Sequence, residues 1–152
     1  MIDKAKKKLW ALRHVKRSGM NEADMLKVYL TFILPSLEYA APTFRPLLNE
    51  TMSNELEYIQ RRACKLIFGW ESKYEDLVNN GRIEPLYKRR ERLTVSFAEK
   101  TAKMPRFSNW FKKKEQNRPG LRKGLTFEEE FVGTDRLRNS PVYYMHRALN
   151  AK

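Results

Sequence analysis

Three groups of cationic side chains carry the chemistry that this chain can offer. Lys8, Arg13, Lys16 and Arg17 recur along the N-terminal stretch, Arg61, Arg62 and Lys65 fall within about one helical turn, and Lys88, Arg89, Arg90 and Arg92 crowd a third stretch. Guanidinium and ammonium groups at this density suit phosphate oxygens, because binding forms charge-assisted hydrogen bonds and releases condensed counterions. Rings are interleaved with cations at Lys8-Leu9-Trp10 and again at Arg106, Phe107, Trp110, Phe111 and Lys112. Such a mixture suits phosphate contact combined with stacking on bases or sugars. Trp10 and Phe111, each taken alone, read better as core residues, so the argument rests on the charge clusters.

Other chemistries find no support. No glycine-rich run precedes a Lys-Ser or Lys-Thr pair, so there is no phosphate loop. No nucleophile elbow is present. His14 and His146 lack the carboxylate pattern of a triad and read as surface or helix-end residues. Cys64 is the single cysteine and lies in an apolar run, so it reads as a packed thiol that can form no internal disulfide. One cysteine and two histidines do not make a metal site by spacing. Glu128, Glu129 and Glu130 read as a solvated acidic face. Tyr74-Glu75-Asp76 resembles part of a polymerase carboxylate motif, but the adjacent aspartate pair of a two-metal site is missing, and the residues read as helix capping. The expectation is a chain with no catalytic residue, metal or cofactor of its own.

Charge sharpens this. The 152 residues carry 31 Lys+Arg against 18 Asp+Glu, a formal net charge of +13. Residues 1–20 hold seven basic and one acidic side chain (net +6), residues 21–80 six and nine (net −3), residues 81–152 eighteen and eight (net +10). Two positive stretches flank a near-neutral packing unit, a layout that favours a polyanionic partner. Solubility alone needs far less net charge. No apolar window is long enough for a membrane span, and the basic N-terminus is not followed by the apolar stretch of a secretory signal. The expected setting is intracellular, nucleus or cytoplasm, with no membrane partner.

The elements that must position these cations are helices. Ile2, Ala5, Leu9, Leu12 and Val15 mark one face of a helix over 2–17, closed by Ser18-Gly19. Asn21 caps a second helix, which runs to about Ala41 and is too densely apolar for one stripe, so it is expected to be central and nearly buried. Pro35 should kink it near Thr31–Leu34. A third helix starts at Asn49 or Thr51 and runs to Phe68, with Leu56, Ile59, Ala63 and Leu66 inward and Glu57 one turn before Arg61. Ser72 and Glu75 read as a capping box for a short helix over 73–79. A fourth long helix, 86–102, turns Leu86, Leu93 and Phe97 inward. Periodicity fades after Met104, and a last helix covers 142–150. The fold class is all-α: a helical bundle over 1–103, then an irregular basic C-terminal extension over 104–152 with its terminal helix.

Specific residues also carry a resemblance. Lys8-Leu9, Leu12-Arg13, Lys16-Arg17 and Gly19, then Tyr29, Ile33, Pro35, Leu37-Glu38-Tyr39-Ala40 and Pro42, then Leu56-Glu57 and Ile59-Gln60-Arg61-Arg62-Ala63 with Lys65, resemble the region after the palm in reverse transcriptases of jockey-type non-LTR retrotransposons. The block Pro-x-Leu-Glu-Tyr-Ala-x-Pro followed by Ile-Gln-Arg-Arg-Ala is its most specific part. The likeness is good over about residues 5–95. It continues more weakly through Arg138-Asn139-Ser140-Pro141 and the last helix, and Phe44 stands where such proteins often have tryptophan. The resemblance implies a helical thumb that holds a template–primer duplex, RNA–DNA hybrid or DNA, through phosphates with little sequence preference. It also implies a polymerase palm domain as a possible partner. The polymerase carboxylates of such proteins lie upstream, in fingers and palm. Two alternatives to nucleic-acid binding stand beside this reading: a protein-interaction module docking through Glu38–Pro42, and an element relic without function.

Overall fold

The computed structural model describes residues 2–114, 126–128 and 131–151. Among these the chain is all-α, with a single isolated bridge between Lys113 and Phe127 and no strand. In chain order the helices are α1 (Ile2–Arg17), α2 (Glu22–Val28), α3 (Leu34–Glu38), α4 (Ala41–Phe44), α5 (Glu50–Phe68), α6 (Tyr74–Asn79), α7 (Leu86–Ala102), α8 (Asp135–Arg138) and α9 (Pro141–Asn150). Glu129 and Glu130 of the acidic run lie outside the described residues.

Two compact units emerge. The first comprises residues 1–40 and 48–89, the second residues 41–47 and 90–152. This division differs from the expected boundary after residue 103. The reason lies in α7, whose later turns bury Ala98, with Ala102 packed beside it, in a small core with Phe111, Phe127 and Met145. In the second unit α9 also packs on α4 and on the 3₁₀ turn Arg45–Leu47.

The first unit is built around α1 and α5, which make its most extensive helix pair. Ala5, Leu9 and Leu12 of α1 meet Leu56, Ile59, Ala63, Leu66 and Ile67 of α5, and Met25, Tyr29, Ile33, Leu34 and Leu37 close the core. Asn21 caps α2 as expected: its side chain accepts a 2.8 Å bond from the Asp24 amide. The Lys27 ammonium and the Asn21 amide hold the Asp24 carboxyl below its usual range. Just before Pro35, where a kink is expected, the helix widens into a π turn over Tyr29–Ile33, in which the Leu34 amide reaches the Tyr29 carbonyl. A proline has no amide to donate and its ring crowds the carbonyl four residues earlier; the wider turn accommodates both.

The second helical segment is less buried than its composition suggests. Leu37 is fully buried, whereas Leu30, Phe32 and Tyr39 are exposed. The expected capping box is also absent. Ser72 Oγ instead donates to the Phe68 carbonyl at 2.8 Å, and the residue at the N-cap of α6 is Lys73, without a side-chain bond. On α7, Leu86 is inward as expected, but Leu93 and Phe97 are exposed; Thr94, Ala98 and Thr101 take the buried face.

A polar network ties the first unit together. Tyr29 OH donates to Gln60 Oε1 at 3.0 Å, and Gln60 Nε2 donates to Tyr74 Oη at 2.9 Å and to the Glu84 carbonyl at 2.8 Å. Tyr74 OH continues to Glu57 Oε2 at 3.1 Å, and the other Glu57 oxygen accepts the Tyr87 amide at 2.7 Å. Both tyrosines are pushed above the ordinary phenol range, chiefly by burial. A buried glutamine with each amide atom satisfied links the elements it touches in one arrangement.

Candidate nucleic-acid interface

Helix α5 supplies the site because its rotation is fixed from the inside. Asn49 caps it, accepting the Met52 amide at 2.8 Å, and its apolar stripe is locked against α1. With that stripe inward, Arg61, Arg62 and Lys65 face outward. Their positions span about 100° of arc at 3.6 residues per turn. Gly69 then ends the helix at φ 97° and ψ 163°, a conformation that L side chains rarely adopt. The chain leaves that glycine as Trp70 and Glu71 and re-enters a helix at Tyr74.

The outer face of α5 and residues 70–75 line an open groove of about 450 Å³. Each α5 cation sits over a ring. Arg61 lies 5.2 Å from the Tyr74 ring centre, Arg62 5.8 Å from Tyr58, and Lys65 5.8 Å from Trp70. Arg62 also donates to Tyr58 Oη at 3.0 Å. Among the described residues none of these three cations makes an ion pair. Glu57, one turn before Arg61, does not pair with it, because both its oxygens are engaged by Tyr74 and Tyr87. The residues 70–75 add Lys73 but also Glu71 and Glu75, both exposed, so the groove has a cationic wall and a wall of mixed charge.

The other expected cations go elsewhere. On α1, Lys8 folds onto the protein: it donates to the Phe32 carbonyl at 2.7 Å and to Ser36 Oγ, and stands 4.2 Å over the Phe32 ring. Lys16 Nζ donates to the Leu66 carbonyl at 2.7 Å, in the last turn of α5, where a cation meets the negative end of the helix dipole. Arg13 and Arg17 are exposed. None of the four lines the groove.

The cluster on α7 does not form one surface. Successive helical residues turn by about 100°, so Lys88 and Arg92 share an exposed face while Arg90 points the opposite way. Arg90 is 2% exposed, which removes it from the expected binding set. Arg89 is drawn inward by Glu38, with Glu84 3.8 Å away, and the Glu38 hydrogen bond raises its already high pKa. The start of α7 is not an open anion site either, because the Glu57 carboxylate already holds the Tyr87 amide.

The remaining candidates behave as structure. Cys64 is buried, and burial pushes its thiol up to about 12. His14 is exposed, 3.9 Å from the Trp10 ring. Trp10 is itself exposed rather than core, whereas Phe111 is core. His146 corrects the expectation of a surface residue: it is buried beside Phe111 and Phe127, with Nε2 on the Trp110 carbonyl. Among the described residues no three His, Cys, Asp or Glu side chains gather to hold a metal, and no helix is long and apolar enough to cross a membrane.

Sequence reasoning missed the rings of the groove. Tyr58 could have been found, since it precedes Arg62 by one turn. Trp70 follows the glycine that ends the helix, where periodicity no longer tells direction. No family model, curated protein or solved structure matches the chain.

Proposed function

We propose that this chain grips a nucleic-acid duplex, RNA–DNA hybrid or DNA, through its phosphates and with little regard to sequence, in the manner of a polymerase thumb. The observation that supports this best is the α5 groove. Arg61, Arg62 and Lys65 converge there on a rigid helix, and rather than being matched by carboxylates they are steadied by rings. A cation held over a ring keeps its hydrogen-bond donors available, and a guanidinium matches two phosphate oxygens at once. The net charge of +13 supplies the long-range attraction. Lys88, Arg13 and Arg17, exposed on the same unit, can add phosphate contacts; Lys8, Lys16, Arg89 and Arg90 serve the fold. The expected role has no catalytic step of its own.

The test is duplex affinity by fluorescence anisotropy across salt concentrations. Three α5 phosphate contacts and one or two more predict a log–log slope of about −4. Arg61→Ala with Arg62→Ala should weaken binding of unrelated sequences alike and make the slope shallower by about 2, because phosphate contacts carry no base information. Unchanged affinity and slope in the double variant would remove the groove from the interface. A second reading, a docking face for a protein such as a polymerase palm, is favoured by Leu30, Phe32 and Tyr39, which stand exposed on the α2–α3 segment. It becomes the better reading if the wild-type chain fails to bind nucleic acid even at low salt.

A further inference from the structure

The groove is divided in charge, and that division bears on what enters it. Its α5 wall is cationic, but Glu71 and Glu75 stand on the residues that face it. A duplex held by the α5 wall and continued across the groove would bring phosphates against those carboxylates. A single nucleotide turned out of a stack would not, since it can set its phosphate on Arg61 and Arg62 and its base away from them. The ring suited to receive that base is Trp70, 64% exposed, with Lys65 over it. Among the described residues no aromatic ring stacks on Trp70. The volume, about 450 Å³, falls within the roughly 300–1,000 Å³ of small-ligand clefts. The chain leaves Gly69, at φ 97°, as Trp70, which lines the groove and stays exposed instead of joining the core.

Resting on the duplex-gripping role above, we propose that the groove takes an unpaired nucleotide at the end of the duplex, with its base stacked on Trp70 and its phosphate on Arg61 and Arg62. Glu71 and Glu75 then act as selectors against continuous duplex on the Trp70 side of the groove, and they can accept hydrogen bonds from an exocyclic amino group of the base. The duplex itself rests on the α5 cations and the exposed cations beyond them, and only its unpaired end reaches Trp70.

Three probes separate this from general grip: a blunt duplex, the same duplex with a short single-stranded overhang, and that overhang in abasic form, which keeps the phosphates and removes the bases. The wild-type chain should bind the overhang about tenfold more tightly than the abasic one, the scale of one base stacked on a ring. Trp70→Ala should abolish that preference, so that the intact and abasic overhangs bind alike, while Trp70→Phe should retain part of it, both variants having wild-type helicity by circular dichroism. Arg61→Ala with Arg62→Ala should weaken all three probes. If blunt duplex binds with the expected salt slope but the two overhangs bind equally and Trp70→Ala changes nothing, the nucleotide-pocket assignment is overturned and the grip stands. If no probe binds at low salt, the grip itself fails and the pocket assignment falls with it.

Discussion

Two arginine-rich stretches, Arg61-Arg62 with Lys65 on α5 and Lys88-Arg89-Arg90 with Arg92 on α7, look interchangeable in one dimension and have opposite fates in three. The first places its cations within about 100° of arc, opposite an apolar stripe that fixes the helix. All three then meet the same groove. The second has three consecutive cations and a fourth two residues on. A helix must spread such a run over most of its circumference, so one arginine turns inward, one meets Glu38, and two remain outside. Cation density therefore does not define a surface; angular spacing against the buried stripe does.

The contrast can be broken at several points. Its frame is tested by Leu37→Ala. Leu37 is fully buried beside Glu38, the partner of Arg89, and its truncation should cost about 2–5 kcal/mol in chemical denaturation. Tyr39→Ala, two residues on but exposed, should stay within about 0.5 kcal/mol. Equal costs would mean that this segment is not positioned as described.

The sharpest test exchanges the two clusters' roles. Arg90→Ala should lower stability by about 2 kcal/mol, since a long buried stem loses its packing, and should change duplex affinity by less than about twofold. Arg61→Ala should do the reverse, weakening binding while the denaturation midpoint holds. If Arg90→Ala weakened binding without a stability loss, the inward placement would be wrong.

The α5 helix and its spacing were readable from residue types alone, as were α1, the Asn21 cap, a disturbed helix just before Pro35 and the end at Gly69, because each follows from local periodicity or backbone chemistry. The inward turn of Arg90 was equally legible in the numbering, since it lies two residues from both Lys88 and Arg92. What one dimension withheld was the use of carboxylates and rings by distant partners. Glu57 faces Arg61 in sequence yet serves Tyr74 and Tyr87, and Ser72 bonds backward to Phe68 instead of forward to Glu75. Trp70 lies beyond the helix end, where the direction of the chain depends on one glycine torsion. The boundary at residue 90 escaped for a similar reason: α7 is continuous in pattern, while its two ends serve different cores.

The smallest effect at neutral pH concerns the inner side of α5. Cys64 is held protonated up to about 12, and Tyr29 and Tyr74 are raised as well. A raised folded-state value contributes stability that is complete below the unfolded value and is lost as pH climbs through the folded one. Unfolding free energy should thus be flat near neutrality and decline from about pH 8.5, where unfolded thiols begin to ionise. Cys64→Ala should lessen the first part of that decline. A stability that rose from pH 8.5 to 11 would contradict the burial of these groups.

The wide turn at Tyr29–Ile33 constrains how the length of this chain can change. It carries one residue more than a regular helix would use over the same rise. Deleting that residue would restore the ordinary ladder, but only by driving the Pro35 ring into the carbonyl four positions before it. Replacing Pro35 alone would leave the surplus residue in place. Insertions and deletions in this helical segment are therefore tied to the residue at position 35: a chain one residue shorter here should tolerate the loss only when the proline is gone as well.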